Sequence, residues 1–395
     1  MTERSPKAEG DKPDTIAVAA GRMSDEHFGV VNTPLYRAST VLFDNLAALE
    51  QPKQPYVYGR RGTPSSRSLE NAIAMLEGGA RTVLVPSGLN ACVTAMLSVV
   101  SQGDHLLMVD SVYEPTRDFC DRVLTRFGIE TGYYPPTGDI RAYLKPNTRA
   151  VFCESPGSLT FEVQDIPAIA AAAHAHDNGS GGASVLMDNT WATPLLFPAI
   201  AHGVDLSIQA VTKYIGGHAD LMMGTITANE SHAARLVQFH GSSGLFSSGD
   251  DIYLALRGLR TLPVRLRRHQ ETAMKLALWL KARPEVRRIL FPALPSDPGH
   301  DLWRRDFKGA PGLFGLELKP VPKSALAAFM DGFSHFGLGW SWGGFESLIV
   351  PAHIRRTAAA FQAEGPVLRI HAGLEDPDDL IADLEKGFAR LKEAS

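Results

Sequence analysis

From residue 62 onward, short apolar runs alternate with segments of helical period, and this alternation constrains the fold more than any other feature. Residues 82–85, 105–109, 150–153, 185–187, 206–211 and 224–228 read as strands. Residues 68–76, 90–100, 118–127 and 166–176 read as helices, the first ended by Gly78-Gly79 and the third by Gly128. Runs that are apolar throughout, rather than every second residue, belong to strands covered on both faces. The pattern therefore predicts an α/β fold with a mostly parallel, doubly wound sheet. Beyond it, 241–249 is a Gly/Ser-rich loop, and 250–280 has a helical pattern interrupted by Pro263. After Pro284 the texture changes to shorter strands and helices, as expected of a smaller α+β domain. It closes on a helix over 377–391, with Asp376 as N-cap and Leu380, Ile381, Leu384, Phe388 and Leu391 on one face. At 395 residues the chain exceeds one ordinary core. We divide it into an N-terminal segment and arm (1–61), a cofactor-binding domain (62–260) and a C-terminal domain (261–395).

The formal net charge of −4 argues against a nucleic-acid partner, which favours a basic face. No apolar stretch reaches the length of a membrane span, and residues 1–14 are polar and charged with no apolar signal core, so a cytoplasmic location and a disordered start are expected. Cys92, Cys120 and Cys153 are odd in number and lack CxxC spacing, which favours small core residues over disulfides or a metal site. His174 and His176 stand two apart in a helical stretch, a poor spacing for a metal pair.

Lys213 is the anomaly. It ends the apolar run Asp205-Leu-Ser-Ile-Gln-Ala-Val-Thr212, where a lysine needs a task. An amine at a strand mouth can form a Schiff base with a carbonyl cofactor, most often pyridoxal phosphate. That cofactor needs an acid on its pyridine nitrogen and a cradle for its phosphate. Asp188, directly after 185–187, can supply the acid; a helix cap or buried ion pair explains it equally well. Ser87-Gly88-Leu89 opens a helix whose free N–H groups suit a phosphate, with Thr212 as a further hydroxyl, although many strand-to-helix turns look the same. Tyr113 can stack on a planar ring or pack in a core. Tyr58-Gly-Arg-Arg-Gly62 can bind phosphate or be a solvated turn. Arg369, inside Val367-Leu-Arg-Ile-His371, needs an anionic partner, either a substrate carboxylate or a structural acid. Trp340-Ser-Trp342 can line a pocket or just pack.

Taken together, Tyr58-Gly-Arg-Arg-Gly-Thr63, Tyr113-Glu-Pro, Glu154-Ser-Pro-Gly-Ser158, Met187-Asp-Asn-Thr-Trp191, Gln209-Ala-Val-Thr-Lys-Tyr214, Ser341-Trp-Gly-Gly-Phe-Glu-Ser347 and Leu368-Arg-Ile-His-Ala-Gly-Leu-Glu-Asp376 resemble the Cys/Met-metabolism PLP enzymes of fold type I. The resemblance implies Lys213 as Schiff-base lysine, Asp188 on the pyridine nitrogen and Tyr113 stacked on the ring. It implies Gly88, Leu89 and Thr212 on the phosphate, and Tyr58 and Arg60 reaching it from a neighbouring subunit of a homotetramer. Arg369, Ser341 and Trp342 would bind the substrate α-carboxylate, and Ser158 would lie near the phenolic oxygen. Ala210 and Ser158, where many relatives carry Ser and Asn, resemble the bacterial cystathionine β-lyase branch. The activity implied is α,β-elimination of L-cystathionine to homocysteine, pyruvate and ammonia. γ-Elimination, cysteine desulfhydration and a non-catalytic PLP-binding regulator are the alternatives. Trp340, where that branch often has Tyr, and the 241–249 loop depart from it.

Overall fold

A computed structural model describes residues 10–179 and 181–395. Its larger sheet has seven strands: β1 (Arg81–Val85), β2 (His105–Val109), β3 (Glu130–Tyr134), β4 (Thr148–Glu154), β5 (Ser184–Asp188), β6 (Leu206–Ala210) and β7 (Gly224–Ala228). Their order is β1-β7-β6-β5-β4-β2-β3. β7 runs antiparallel to both of its neighbours, and the other pairings, from β6 to β3, are parallel. The expected mostly parallel α/β sheet is what the chain forms. Strands β2, β4 and β5 are almost entirely buried, which explains their unbroken apolar runs.

The second sheet contains β8 (Val286–Leu290), β9 (Leu313–Leu318), β10 (Leu348–Pro351) and β11 (Val367–His371), in the antiparallel order β10-β11-β9-β8. The closing helix Pro377–Glu393 is capped by the Asp376 side chain and buries Leu380, Leu384, Phe388 and Leu391, with Ile381 at the rim of the core.

Four expectations need correction. β3 was not foreseen: Glu-Thr-Gly-Tyr-Tyr has no apolar run, because this edge strand buries only Tyr134 completely. The predicted helix over 118–127 is instead Glu114–Arg122, opened by Pro115, followed by a 3₁₀ turn Leu124–Phe127. Pro263 does not interrupt its helix, which runs unbroken over Gly249–Lys281. A proline inside a helix costs about 3 kcal/mol. Here both flanks are held by packing, Leu259, Leu262 and Leu266 in one core cluster and Ala273, Leu276 and Leu280 in the other. The expectation of disorder over 1–14 is overturned at its end, while residues 1–9 lie outside the described residues. Pro13 and Asp14 open the helix Pro13–Ala19; Arg267 pairs with Asp14 at 2.6 Å, and Arg260 donates to the carbonyls of Ala17 and Ala20. Charge composition hid this docking, because the partners lie some 250 residues away.

All three cysteines are buried and unpaired. His174 lies against Asp205 at 2.9 Å, and His176 donates to the Lys145 carbonyl. Among the described residues, no helix is long and apolar enough to cross a membrane.

Candidate active site

Parallel strands present their C-terminal ends on one edge, where ligands bind in open α/β sheets. β4 ends on Glu154 and β5 on Asp188, and these two are direct register partners. β6 ends at Ala210, and Lys213 follows within one turn, its amide bonded to the Ala210 carbonyl. Arg265, from the long helix, clamps this turn. Its guanidinium donates to the carbonyls of Tyr214 at 2.6 Å, Ile215 at 3.2 Å and Gly258 at 2.7 Å.

The Lys213 amine donates to Ser341 Oγ at 2.7 Å and stands 5.2 Å from the Trp342 ring centre. Burial lowers its pKa to about 8; nearby Arg369 adds to the effect and Asp188 partly offsets it. A lysine with this pKa is a usable nucleophile and base near neutrality. In the apoprotein, the rate of pyridoxal phosphate capture should therefore climb to a plateau with a half-point near pH 8. Stopped-flow absorbance across pH 6–11 measures it; a half-point near the ordinary lysine value of about 10.4 would remove this reading.

Asp188 accepts from Thr190 N at 3.0 Å and lies 3.6 Å from the Cys92 thiol. Burial raises its carboxyl, an effect opposed first by the Thr190 hydrogen bonds. Thr190 also ties β5 to β6, since its hydroxyl accepts from Ala210 N. Glu154 takes the amide of Tyr113 at 2.7 Å and is pushed well above the usual carboxylate range by burial and then by Asp188. Sequence reading assigned Glu154 and Cys92 no role. The signal for Glu154 was the same as for Asp188: an acid directly after a buried apolar strand.

The helix Gly88–Val99 starts against β6, with the Ser87 side chain as its cap. A Cβ on Gly88 would stand 2.5 Å from the Ala210 Cβ, so only glycine lets these backbones approach so closely. Leu89 is exposed beside it. Thr212 is close by, but its hydroxyl donates to Met223 O at 3.2 Å and accepts from Met223 N at 3.1 Å. Tyr113 precedes the helix Glu114–Arg122 and is 45% exposed, so its ring is not a core residue. Ser158 joins the same edge, its amide bonded to Ser111 O at 2.8 Å.

From the smaller sheet, Arg369 on β11 donates to the Ser341 carbonyl at 2.8 Å. Ser341 has φ +92°, a left-handed conformation that a non-glycine residue rarely adopts, and one residue thus meets both Lys213 and Arg369. Burial lowers the guanidinium to about 10, and it has no carboxylate partner among the described residues' ion pairs. Arg60 donates to Gly241 O at 2.9 Å, and Tyr58 is exposed. Trp340 is 76% exposed, on the rim of a surface groove with Leu326, Met330 and Leu338.

The donor set is a suppressed-pKa lysine, a half-buried acid coupled to it, and a glycine-pressed helix start beside the same strand ends. Residues 14–389 match the Cys/Met metabolism PLP-dependent enzyme family. The chain belongs to this family. Pyridoxal phosphate is accordingly its cofactor, and the residues just described fit that group. The chain is 52% identical over 371 residues to a putative cystathionine beta-lyase of Rhizobium johnstonii, covering 92% of each. It is 44% identical to the cystathionine beta-lyase MetC of Escherichia coli, covering 96% of this chain and 99% of that one. It also superposes on cystathionine gamma synthase of Xanthomonas oryzae pv. oryzae, solved with cystathionine, with TM-score 0.88 and 32% identity over 98% of this chain and 100% of the other. Members of this family that act at the β and γ carbons thus share the fold, and only the site can separate them.

Proposed function

We propose that this protein is a carbon–sulfur β-lyase that cleaves L-cystathionine to homocysteine, pyruvate and ammonia. The observation that carries the reading is Ser341, which bonds the Lys213 amine through its hydroxyl and the Arg369 guanidinium through its carbonyl. A substrate α-carboxylate held by Arg369 places its Cα beside the Lys213 amine. The relatives named cystathionine beta-lyase support the choice of substrate.

Pyridoxal phosphate, when bound, supplies an electron sink for the pair left at Cα. Lys213 anchors it and then takes the Cα proton; its lowered pKa keeps the freed amine ready to accept one. Asp188 holds the pyridine nitrogen protonated, with its carboxylate oriented by Thr190 and Cys92. Tyr113 would stack on the ring of the bound cofactor, and Ser158 would lie near its phenolic oxygen. The free amides of Gly88 and Leu89 take the phosphate at the positive end of their helix. Thr212 joins them by turning its hydroxyl proton away from Met223 O. Arg369, with Ser341 and Trp342, fixes the α-carboxylate bidentately.

Tyr58 and Arg60 reach the phosphate of the adjacent subunit's site, so the dimer is the minimal active unit and the homotetramer its resting assembly. The exposed apolar residues of the arm that carries them, Phe28, Leu42, Leu46 and Tyr58 among them, support a covered interface. The protein works in the cytoplasm. The three parts 1–61, 62–260 and 261–395 serve as arm, cofactor domain and carboxylate-binding domain.

Incubation of the holoenzyme with L-cystathionine and identification of the keto acid tests the reaction. Pyruvate with homocysteine is expected. 2-Oxobutyrate would place cleavage at the γ carbon, and neither product would leave a PLP-binding protein without this activity.

A further inference from the structure

Near Lys213, two fully buried histidines meet. His269 comes from the long helix and His371 from β11, two residues beyond Arg369 and on the same strand face. Their ring centres are 5.1 Å apart, and the Tyr214 ring lies 5.3 Å from one and 5.8 Å from the other. Burial holds both imidazoles neutral, lowering His269 to about 4 and His371 well below the usual range. The charged neighbours Lys213 and Arg369 push His371 the same way.

Hydrogen bonds fix what each nitrogen carries. His269 Nδ1 meets the Ala372 carbonyl at 2.8 Å. A carbonyl only accepts, so Nδ1 carries the proton and Nε2 is a bare acceptor. His371 Nε2 lies 3.1 Å from Gly343 N and 3.2 Å from Gly344 O. It can serve only one of them. An unpaired buried amide is rarer than an unpaired carbonyl, so Nε2 accepts from Gly343 and the proton sits on Nδ1. His371 Nδ1 and His269 Nε2 are the two ring nitrogens of this pair without a partner. One is a donor and the other an acceptor, but they do not bond each other; the two rings meet by packing.

Gly343 is a sensitive point to hold. It has φ +85°, and a Cβ there would lie 2.8 Å from Tyr214 N and 3.0 Å from Lys213 Cα. The loop 341–343 thus presses on the lysine backbone at one end and bonds its amine and Arg369 at the other.

We propose that His371, backed by the ring of His269, sets the Ser341–Gly343 loop through the Gly343 amide, and through it the alignment of Lys213 with Arg369. His371 is a positioning residue that touches neither cofactor nor substrate; it acts through the Gly343 amide. The inference deepens the lyase reading and rests on it for the substrate named.

The test uses holoenzyme and two variants. L-Alanine has no leaving group, and its binding is read from cofactor absorbance. His371→Ala should weaken L-alanine binding and raise KM for cystathionine about tenfold, the loss expected for one ordering hydrogen bond. His371→Gln returns an acceptor at similar reach and should recover to within about threefold of the native protein. Equal losses in both variants, or native binding in His371→Ala, overturn the proposal. Should His371→Ala fail to fold, His269→Leu removes the ring that backs His371. Weaker L-alanine binding is expected from it, and unchanged binding overturns the proposal. If the native protein releases no keto acid from cystathionine, the lyase reading fails, while the L-alanine comparison still reports on the histidines.

Discussion

Lys213→Ala should lower pyruvate release by roughly 10³-fold or more while the chain stays folded. The proposed function gives this residue two jobs, covalent anchor and proton-transfer base, and general-base catalysis alone contributes about 10²–10⁴-fold. The fold does not need the amine. Its burial lowers the lysine pKa to about 8, which means that the charged form is destabilised where it sits. Removing it relieves that penalty and leaves Ser341 Oγ without its donor. The apo variant should therefore melt at or near the temperature of native apoprotein, measured by circular dichroism. Native rates of pyruvate release from Lys213→Ala would end the assignment.

Asp188→Asn carries the second large expected effect. The amide oxygen of Asn can still accept from Thr190 N, so the local geometry survives. The negative charge does not. Without it the protonated pyridine nitrogen loses its partner, and kcat should fall about 10²-fold or more, each tenfold corresponding to about 1.4 kcal/mol in the barrier. The cofactor absorbance maximum should shift, and cofactor retention on dialysis should drop. A kcat within twofold of native would show that Asp188 is not the acid on the ring. Glu154, its register partner, would then be the first replacement to consider.

Lys213 and Asp188 were legible because each stands at or just beyond the end of a buried strand, where an ionisable residue stands out against Val, Leu, Ile and Met. Arg369 was legible as a lone charge inside an apolar strand. Glu154 gave the same local signal but was noticed only as part of a matching stretch. Its coupling to Asp188 depends on β4 and β5 being neighbours in register, which the run of the chain does not state. The histidine pair had no signal. His269 and His371 are widely separated in sequence, and a buried neutral histidine looks like any other polar residue in an apolar context. Ser341 was named only through the family resemblance, as a carboxylate contact, since its local sequence is that of an ordinary serine between tryptophans. Its role as the link between Lys213 and Arg369 follows from its φ of +92° and its two hydrogen bonds.

The alternation of buried strands with helices, and hence a mostly parallel sheet, could be read from the chain alone, together with the ionisable residues that stand out at its strand ends. Hydrophobic period and the cost of burying a charge act locally, so they are written residue by residue. The tertiary structure alone decided the antiparallel placement of β7, the recruitment of β3 to an edge, the passage of a helix through Pro263 and the convergence of two sheets on Ser341. Each of these depends on contacts between segments far apart in the chain, where packing outweighs local preference.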